Sequence, residues 1–347
     1  MYIKDLSAIS PQATLDNAFF ESTPRIFEGN QYLIEEPDYS DLIPRGLLRR
    51  MGKASRIGVK VGMPLIEKNP EIDGIILGTG DGGIEDSLKF VAQIIEYDEG
   101  TLTPTNFVQS TPNSLAGTLA LMSKNVGYNN TYVDKGLAFE ACILDAQLLF
   151  EEGSAETLLI GNVEQFYIQN YNLEFQDGLY KTQEISSKKL LTSNTEGTVN
   201  GEGCAMFVVS KDKTHAVAEL VDVTQLSYPT ESELQGTLLE FLTTNNLNTK
   251  DIDALVLGYN GDTREDHYYD KMKANFDDGI STFSFKNLCG EYATVMAFAT
   301  YFATSILQGK KVPEMCQLAS PGKPIRNLLI YNHYRGRMHG FVLLKAV

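Results

Sequence analysis

The sequence predicts an α/β fold built from two halves of one design, and three observations carry that reading. IDGIILGTGDGG (residues 72–83) returns later as IDALVLGYNGDT (residues 252–263), with the same Ile-Asp start, apolar run and Leu-Gly. Each copy is followed downstream by a long, nearly uncharged helical stretch, residues 137–150 and 292–308, that ends near a glycine (Gly153, Gly309). Each of those leads to a second apolar strand, TLLIGNV (157–163) or NLLIYNH (327–333). Two helices buried all round imply helices sandwiched between two sheets, which requires small residues for close approach, and both stretches supply Ala, Ser, Thr or Cys.

The chain has 347 residues, enough for one large or two medium domains, with 43% hydrophobic and 21% charged residues, as in ordinary globular proteins. Its formal net charge of −16 argues against a general nucleic-acid binder. Cys142, Cys204, Cys289 and Cys316 lie far apart with no CxxC pair, which argues against a zinc site or a disulfide framework and favours a reducing cytoplasm. No metal and no cofactor are expected. The segment MYIKDLSAIS lacks the apolar core of a signal peptide, and residues 292–308 are too short and too rich in Thr and Ala for a membrane span.

Taken in order, residues 1–41 read as mixed and turn-rich. Residues 42–66 contain no acidic residue, and Arg45, Arg49, Arg50, Lys53, Arg56 and Lys60 recur at near-helical spacing between apolar residues. That pattern fits either an amphipathic helix with a solvated basic face or a docking patch for an anionic partner. GTGDGG (78–83) reads as a tight turn from a strand into a helix over 84–97. It lacks the Walker lysine and the full GxGxxG spacing of a nucleotide-binding loop. Residues 127–161 then give a strand (128–134), a turn at Lys135-Gly136, the apolar helix and the next strand. Such a frame exposes a residue at the turn, backed by a helix N-terminus, where enzymes place a nucleophile. The turn carries glycine. Residues 178–203 read as a polar loop, 204–211 and 215–223 as strands, and 230–246 as a helix. No low-complexity linker separates the halves, so we expect one compact unit with an N-terminal half over 1–210 and a C-terminal half over 211–347.

From Arg45 onward the motifs resemble, in order, the β-ketoacyl-acyl-carrier-protein synthases of the thiolase superfamily. RRMGKASR (49–56) resembles the family's basic helix near the carrier-docking surface, GTGDGG its glycine turn, and TPNSLAG (111–117) its MPNxxAG helix start. GSAETLLIGNVEQF (153–166) is similar to the strand GxADxxxxGGxE, and EGTVNGEGCA (196–205) to DGFVMGEGAG. The resemblance implies a thiolase-like five-layer αβαβα fold. Its catalytic positions are replaced one by one. The nucleophilic cysteine corresponds to Gly136, and Cys142, six residues into the helix, reads as a packing residue. The first histidine falls at Gly258 or Asn260. The second, in KSMTGH, becomes Glu291 in KNLCGE, while the lysine remains as Lys286. The glycine-rich gating loop becomes YRGRMHG (334–340), with Arg335 near the gating phenylalanine, where it could neutralise Glu291. A carboxylate in place of an imidazole opposes the developing negative charge of condensation. His215, His267, His333 and His339 form no dyad with a nucleophile in the sequence, and the last two flank the altered loop.

The resemblance therefore implies a ketosynthase-like subunit that does not condense, like the family's chain-length factors, within an acyl-carrier-protein-dependent pathway making a fatty acid, polyketide or polyene. Its expected partners are an active β-ketoacyl synthase in a heterodimer, or a second copy in a homodimer, together with the acyl carrier protein, facing Arg45, Arg49, Arg50 and Lys53. Residues 106–121 and 129–134 would lie at or near the dimer interface. The alternative is an acyl-thioester hydrolase or transferase with a site rebuilt from Cys289, Glu291, Lys286, Asn260, Asp262 and His339.

Overall fold

A computed structural model describes residues 1–15, 18–320 and 322–347. Strand β1 (Tyr2–Ile9) opens the chain and is followed by the short β2 (Gln31–Tyr32). The basic segment is two helices, α1 (Arg45–Leu48) and α2 (Lys53–Lys68), not one. Gly52 is extended (φ −62°, ψ 164°) and starts the second helix afresh. β3 (Gly74–Thr79) enters the glycine turn, whose Gly83 takes φ 63° directly before α3 (Ile84–Glu96). Next come α4 (Pro104–Gln109), α5 (Ser114–Ser123) and β4 (Tyr128–Val133). A single 3-10 turn at Lys135–Leu137 leads into α6 (Ala138–Glu151), then β5 (Thr157–Glu164) and α7 (Ile168–Gln176). After the loop containing β6 (Asn200–Gly201), β7 (Gly203–Ser210) closes the first half.

The second half runs β8 (Ala218–Ser227) and α8 (Glu231–Thr244), whose start is fixed by a capping box between Thr230 and Glu233. It continues through β9 (Ala254–Leu257), α9 (Asp266–Lys273), β10 (Ser281–Ser284) and α10 (Lys286–Cys289). It ends with α11 (Met296–Leu307), β11 (Gln317–Ala319) and the hairpin β12 (Asn327–Tyr334) and β13 (Met338–Lys345).

Among the described residues one sheet runs β11-β10-β9-β12-β13-β8-β1-β7-β5-β3-β4. The repeat read in the sequence is a repeat of topology. From the seam outward, β1-β7-β5-β3-β4 pair antiparallel, antiparallel, parallel, parallel, and β8-β13-β12-β9-β10 pair the same way. The halves meet where Tyr2 and Ile3 of β1 pair with Glu219 and Ala218 of β8. β1 is a central element that the sequence reading missed: a strand at the centre of the sheet lies where a turn-rich segment was expected.

Alternate residues along each strand face different layers, so the strands read as continuous apolar runs. Ile76, Leu158 and Ile160, with Ile330 and Val342 of the other half, face a central core containing Phe139, Cys142, Phe298 and Phe302 of α6 and α11. Ile75, Leu77 and Leu159 face outward to α2 and α5, and Leu255, Leu329 and Phe341 face outward to α8 and α9. The seam turns this continuous sheet into two half-sheets that face each other across α6 and α11, so helices, half-sheet, helices, half-sheet and helices make five layers. α11 is buried from Met296 to Ile306. α6 is not buried all round, contrary to the sequence expectation: Leu148 is 56% exposed, because α6 lies toward the β4 edge.

Ala299, with no exposed surface in α11, is held between both sheets. Ala299→Leu should overpack the central layer and cost about 1–3 kcal/mol in urea unfolding. Leu148→Ala, on the open face of α6, should stay within about 0.5 kcal/mol of the parent.

Candidate functional site

The turn before α6 is the place to begin, because the fold aims it at the middle of the molecule. Lys135, not Gly136, carries the left-handed backbone there, with φ 42°. Gly136 is therefore present for space and not for conformation. A Cβ on Gly136 would lie 2.3 Å from the Cβ of Tyr334 and 3.0 Å from its Cγ. Tyr334 is the last residue of β12, alternates with Ile330 and Asn332, and so points to the same inner side as α6. Its Cβ, with the near edge of the ring behind it, fills the position where a side chain at the turn would stand. Arg335 holds it there, with its guanidinium 5.1 Å from the Tyr334 ring centre and paired with Glu174. β3 comes equally close to α6: a Cβ on Gly78 would be 2.7 Å from the Ala138 carbonyl oxygen.

Across from the turn, a buried charge pair replaces open chemistry. Lys286 Nζ donates to Glu291 Oε2 at 2.6 Å, and both side chains are almost wholly shielded from solvent. Asn260 Nδ2 donates to the same oxygen at 2.9 Å. Glu291 is anchored by its backbone, which bridges Val199 and Gly201. Between this pair and the glycine turn lies a narrow cleft of about 70 Å³, bordered by Asp81, Glu164, Asn200, Glu291, Tyr292 and Tyr334 among others. Burial pushes the Glu164 carboxyl up to about 7, against the hydrogen bonds it accepts from Gly80 N–H and Thr294 Oγ1.

The sequence profile described as "Beta-ketoacyl synthase, N-terminal domain" matches residues 24–241, more than half of the chain. The chain belongs to the β-ketoacyl synthase family. Solved structures similar to it include the ishigamide ketosynthase/chain length factor, at 16% identity and TM-score 0.76. Another is a type II polyketide synthase acyl-carrier protein in complex with its ketosynthase bound to the hexaketide, at 13% and 0.79. A third is a β-ketoacyl synthase from Burkholderia phymatum STM815, at 15% and 0.77. Each alignment covers 100% of this chain and 99% of the other. At these identities the likeness establishes the fold, thiolase-like as in the ketosynthases. No curated protein sequence matches the chain.

In this ketosynthase fold the sequence-predicted positions fall as follows. Gly136 lies in the turn before α6, and Asn260, Lys286 and Glu291 form one buried hydrogen-bonded group. Gly258 is closed off, since a Cβ there would be 2.2 Å from Asn332 Oδ1. Arg335 does not neutralise Glu291 as expected: Lys286 does, and Arg335 is taken by Glu174. Asp262 is bound by Arg264, which with its hydrogen bonds holds that carboxyl below its usual value despite burial. His333 and His339 are a cross-strand pair with ring centres 5.5 Å apart, packed among Tyr268, Tyr269 and Tyr331 on the outer side of the sheet, away from Gly136. Burial holds His339 down to about 4 and His333 well below its usual value, so both are neutral near pH 7. His215 and His267 are exposed. Cys142 and Cys289 are wholly buried, with thiols pushed up by desolvation, and Cys289 Sγ meets only backbone carbonyls among the described residues. Arg45, Arg49 and Arg50 are exposed and have no ion pair among the described residues, whereas Lys53 is bound to the buried Glu202.

Sequence reasoning missed Tyr334 and Glu140. Glu140 was visible as a carboxyl inside an apolar helix. It is 1% exposed, neither oxygen has a hydrogen-bond partner among the described residues, and a Cβ on Gly340 would be 2.1 Å from its Oε1. Desolvation pushes it up to about 8.

Two predictions follow from these contacts. Gly136→Cys should lose about 1–3 kcal/mol by overpacking against Tyr334. A Tyr334→Gly background should remove that cost in a urea-unfolding double-mutant cycle, and Tyr334→Ala should not, because it keeps the offending Cβ. For Glu140, the folded chain keeps a proton that the unfolded chain releases near its ordinary value of 4.5. This contribution to stability is complete below about pH 4.5 and falls, by up to about 1.4 kcal/mol per pH unit, as pH rises towards 8. Glu140→Gln should flatten that slope in unfolding curves measured across the window.

Proposed function

We propose that this chain is a non-condensing, ketosynthase-like subunit of the chain-length-factor kind, which assembles with an active β-ketoacyl synthase and serves acyl-carrier-dependent chain building. The observation that carries this reading is the closed turn: Gly136 has no side chain to attack with, and Tyr334 leaves no space for one. Glu291, which the KNLCGE motif's resemblance matches to the family's second imidazole, is a carboxylate paired with Lys286. The arrangement thus lacks both the nucleophile and the neutral donors that stabilise a thioester oxyanion.

The exterior supports a partner. Among the described residues β4 pairs only with β3, so its other edge is open. On β4 and on the helices α5 and α6 that pack against it, Leu121, Tyr128, Val133 and Leu148 are each at least 40% exposed. An open strand edge beside apolar side chains is a docking surface that a soluble protein normally covers. Arg45, Arg49 and Arg50 supply an exposed cationic patch suited to an acidic carrier protein. Among the similar structures, one is named as a ketosynthase/chain length factor and another holds an acyl-carrier protein with its ketosynthase. A hydrolase or transferase built on Cys289 has less in its favour, since that thiol is buried and His339 faces the other side of the sheet.

Co-expression with an intact β-ketoacyl synthase and its carrier tests the reading. A heteromeric complex should co-purify, and the chain alone should elongate no acyl carrier. Reversing Arg45, Arg49 and Arg50 to Glu should weaken carrier binding at least about tenfold at low salt, with a shallower salt dependence. A chain that stays apart from the synthase, or condenses by itself, contradicts it.

A further inference from the structure

Away from the central cleft, strand β8 is half unpaired. On one side it pairs with β13 along its length, and on the other it meets β1 only at Ala218 and Glu219. Leu220 is the last residue held on that side, giving its N–H to the Met1 carbonyl and accepting from the Met1 ammonium. A register shift opposite Val221 then changes the parity of the strand. Tyr228 N–H donates to the Arg337 carbonyl beside β13, so even-numbered residues of this stretch face β13. Val223 N–H is taken instead by the carboxylate of its neighbour Asp222, at 2.9 Å, so odd-numbered residues face away. Gln225 and Ser227 therefore present N–H and C=O on the side where no strand pairs with them among the described residues.

This edge is the floor of a groove walled by one flank of α8. Its two contiguous stretches, of about 380 and about 560 Å³, share Gln225, Leu226, Thr237 and Glu240. The groove has a one-sided charge: Asp222, Glu233 and Glu240 border it and, among the described residues, no lysine, arginine or histidine does. All three acids stand on the α8 side, Glu233 and Glu240 on the helix itself and Asp222 bound by Asn245 at its end. Gly236 borders the same groove from the middle of α8. Its φ is not positive, and a Cβ on it would meet nothing within 4 Å. A glycine inside a helix lowers stability, and here neither backbone conformation nor packing within the chain calls for one. What it provides is room beside Gln225 and Ser227.

We propose that this edge is a docking site for an extended, basic segment of a partner polypeptide, which joins β8 as a further strand. Main-chain bonds to Gln225 and Ser227 hold the segment. Every second side chain points to the α8 side, where lysines or arginines meet Asp222, Glu233 and Glu240. A second copy of this chain is the poorer occupant, because its own β8 edge would bring the same three acids against these. The site uses neither the β4 edge nor the exposed arginines, so it stands or falls apart from the partner-subunit reading.

The probe is a capped octapeptide alternating lysine and threonine, labelled and titrated into the full chain at low salt. It should bind at least about tenfold tighter than its glutamate–threonine counterpart. Charge alone could produce that difference in so acidic a protein, so backbone N-methylation supplies the decisive control. Methylating one of the two alternating sets of peptide nitrogens should weaken binding at least tenfold, and methylating the other less than twofold, because only one set faces β8. Bound peptide should slow hydrogen exchange over residues 223–228. Gly236→Leu should raise the urea midpoint of the free chain, as a better helix former, and yet weaken the peptide at least fivefold. Four results overturn the proposal: no binding of the lysine peptide, equal binding of both methylated forms, binding that survives Gly236→Leu, or exchange protection over 223–228 that rises with chain concentration alone.

Discussion

The contact between the Tyr334 side chain and the bare Cα of Gly136 sets the terms for the rest of the centre. β12 delivers the tyrosine from the C-terminal half and the 3-10 turn delivers the glycine from the N-terminal half, so the contact lies where the two repeats interlock. Sheets held apart by a shared helical layer cannot shift to make room for one more atom without disturbing α6 and α11. Arg335 fastens the ring from outside by stacking on it and pairing with Glu174. The turn is here part of the packing.

Electrostatics follow the same course. Lys286 and Glu291 exchange solvent for each other deep in the protein, and such a pair contributes little net stability while fixing geometry. It leaves the other carboxylate oxygen buried without a hydrogen-bond partner among the described residues, next to a cleft bordered by further acids. Such a centre opposes a developing negative charge rather than stabilising it. Glu140, uncharged at neutral pH, lies at the start of α6 against Gly340, where an ionised carboxylate would be unsupported.

Much of this was legible in the chain. The strand–turn–helix repeats, the near-continuous apolar strands and the glycine at the turn follow from local periodicity and motif order, which sequence records directly. What escaped was set by tertiary partners. β1 carries Lys4, Asp5 and Ser7, and only its place between β7 and β8 makes it a central strand. The basic segment 42–66 has helical spacing throughout, yet Gly52 divides it, and Lys53, Arg56 and Lys60 are claimed by Glu202, Glu36 and Asp41. That Arg335 pairs with Glu174 and Lys286 with Glu291 depends on side chains from distant segments, which spacing alone cannot rank. Tyr334 stood in plain view within YRGRMHG, but nothing local says that its ring closes a turn nearly 200 residues earlier in the chain.

The most direct test of the central claim is whether the purified chain can carry an acyl group. Incubation with excess acyl-carrier thioester, followed by intact-protein mass spectrometry, should return the unmodified mass, because the turn carries no thiol or hydroxyl and no cysteine borders the cleft. A stoichiometric acyl adduct, mapped to a peptide around Gly136 or Cys289, would contradict the account.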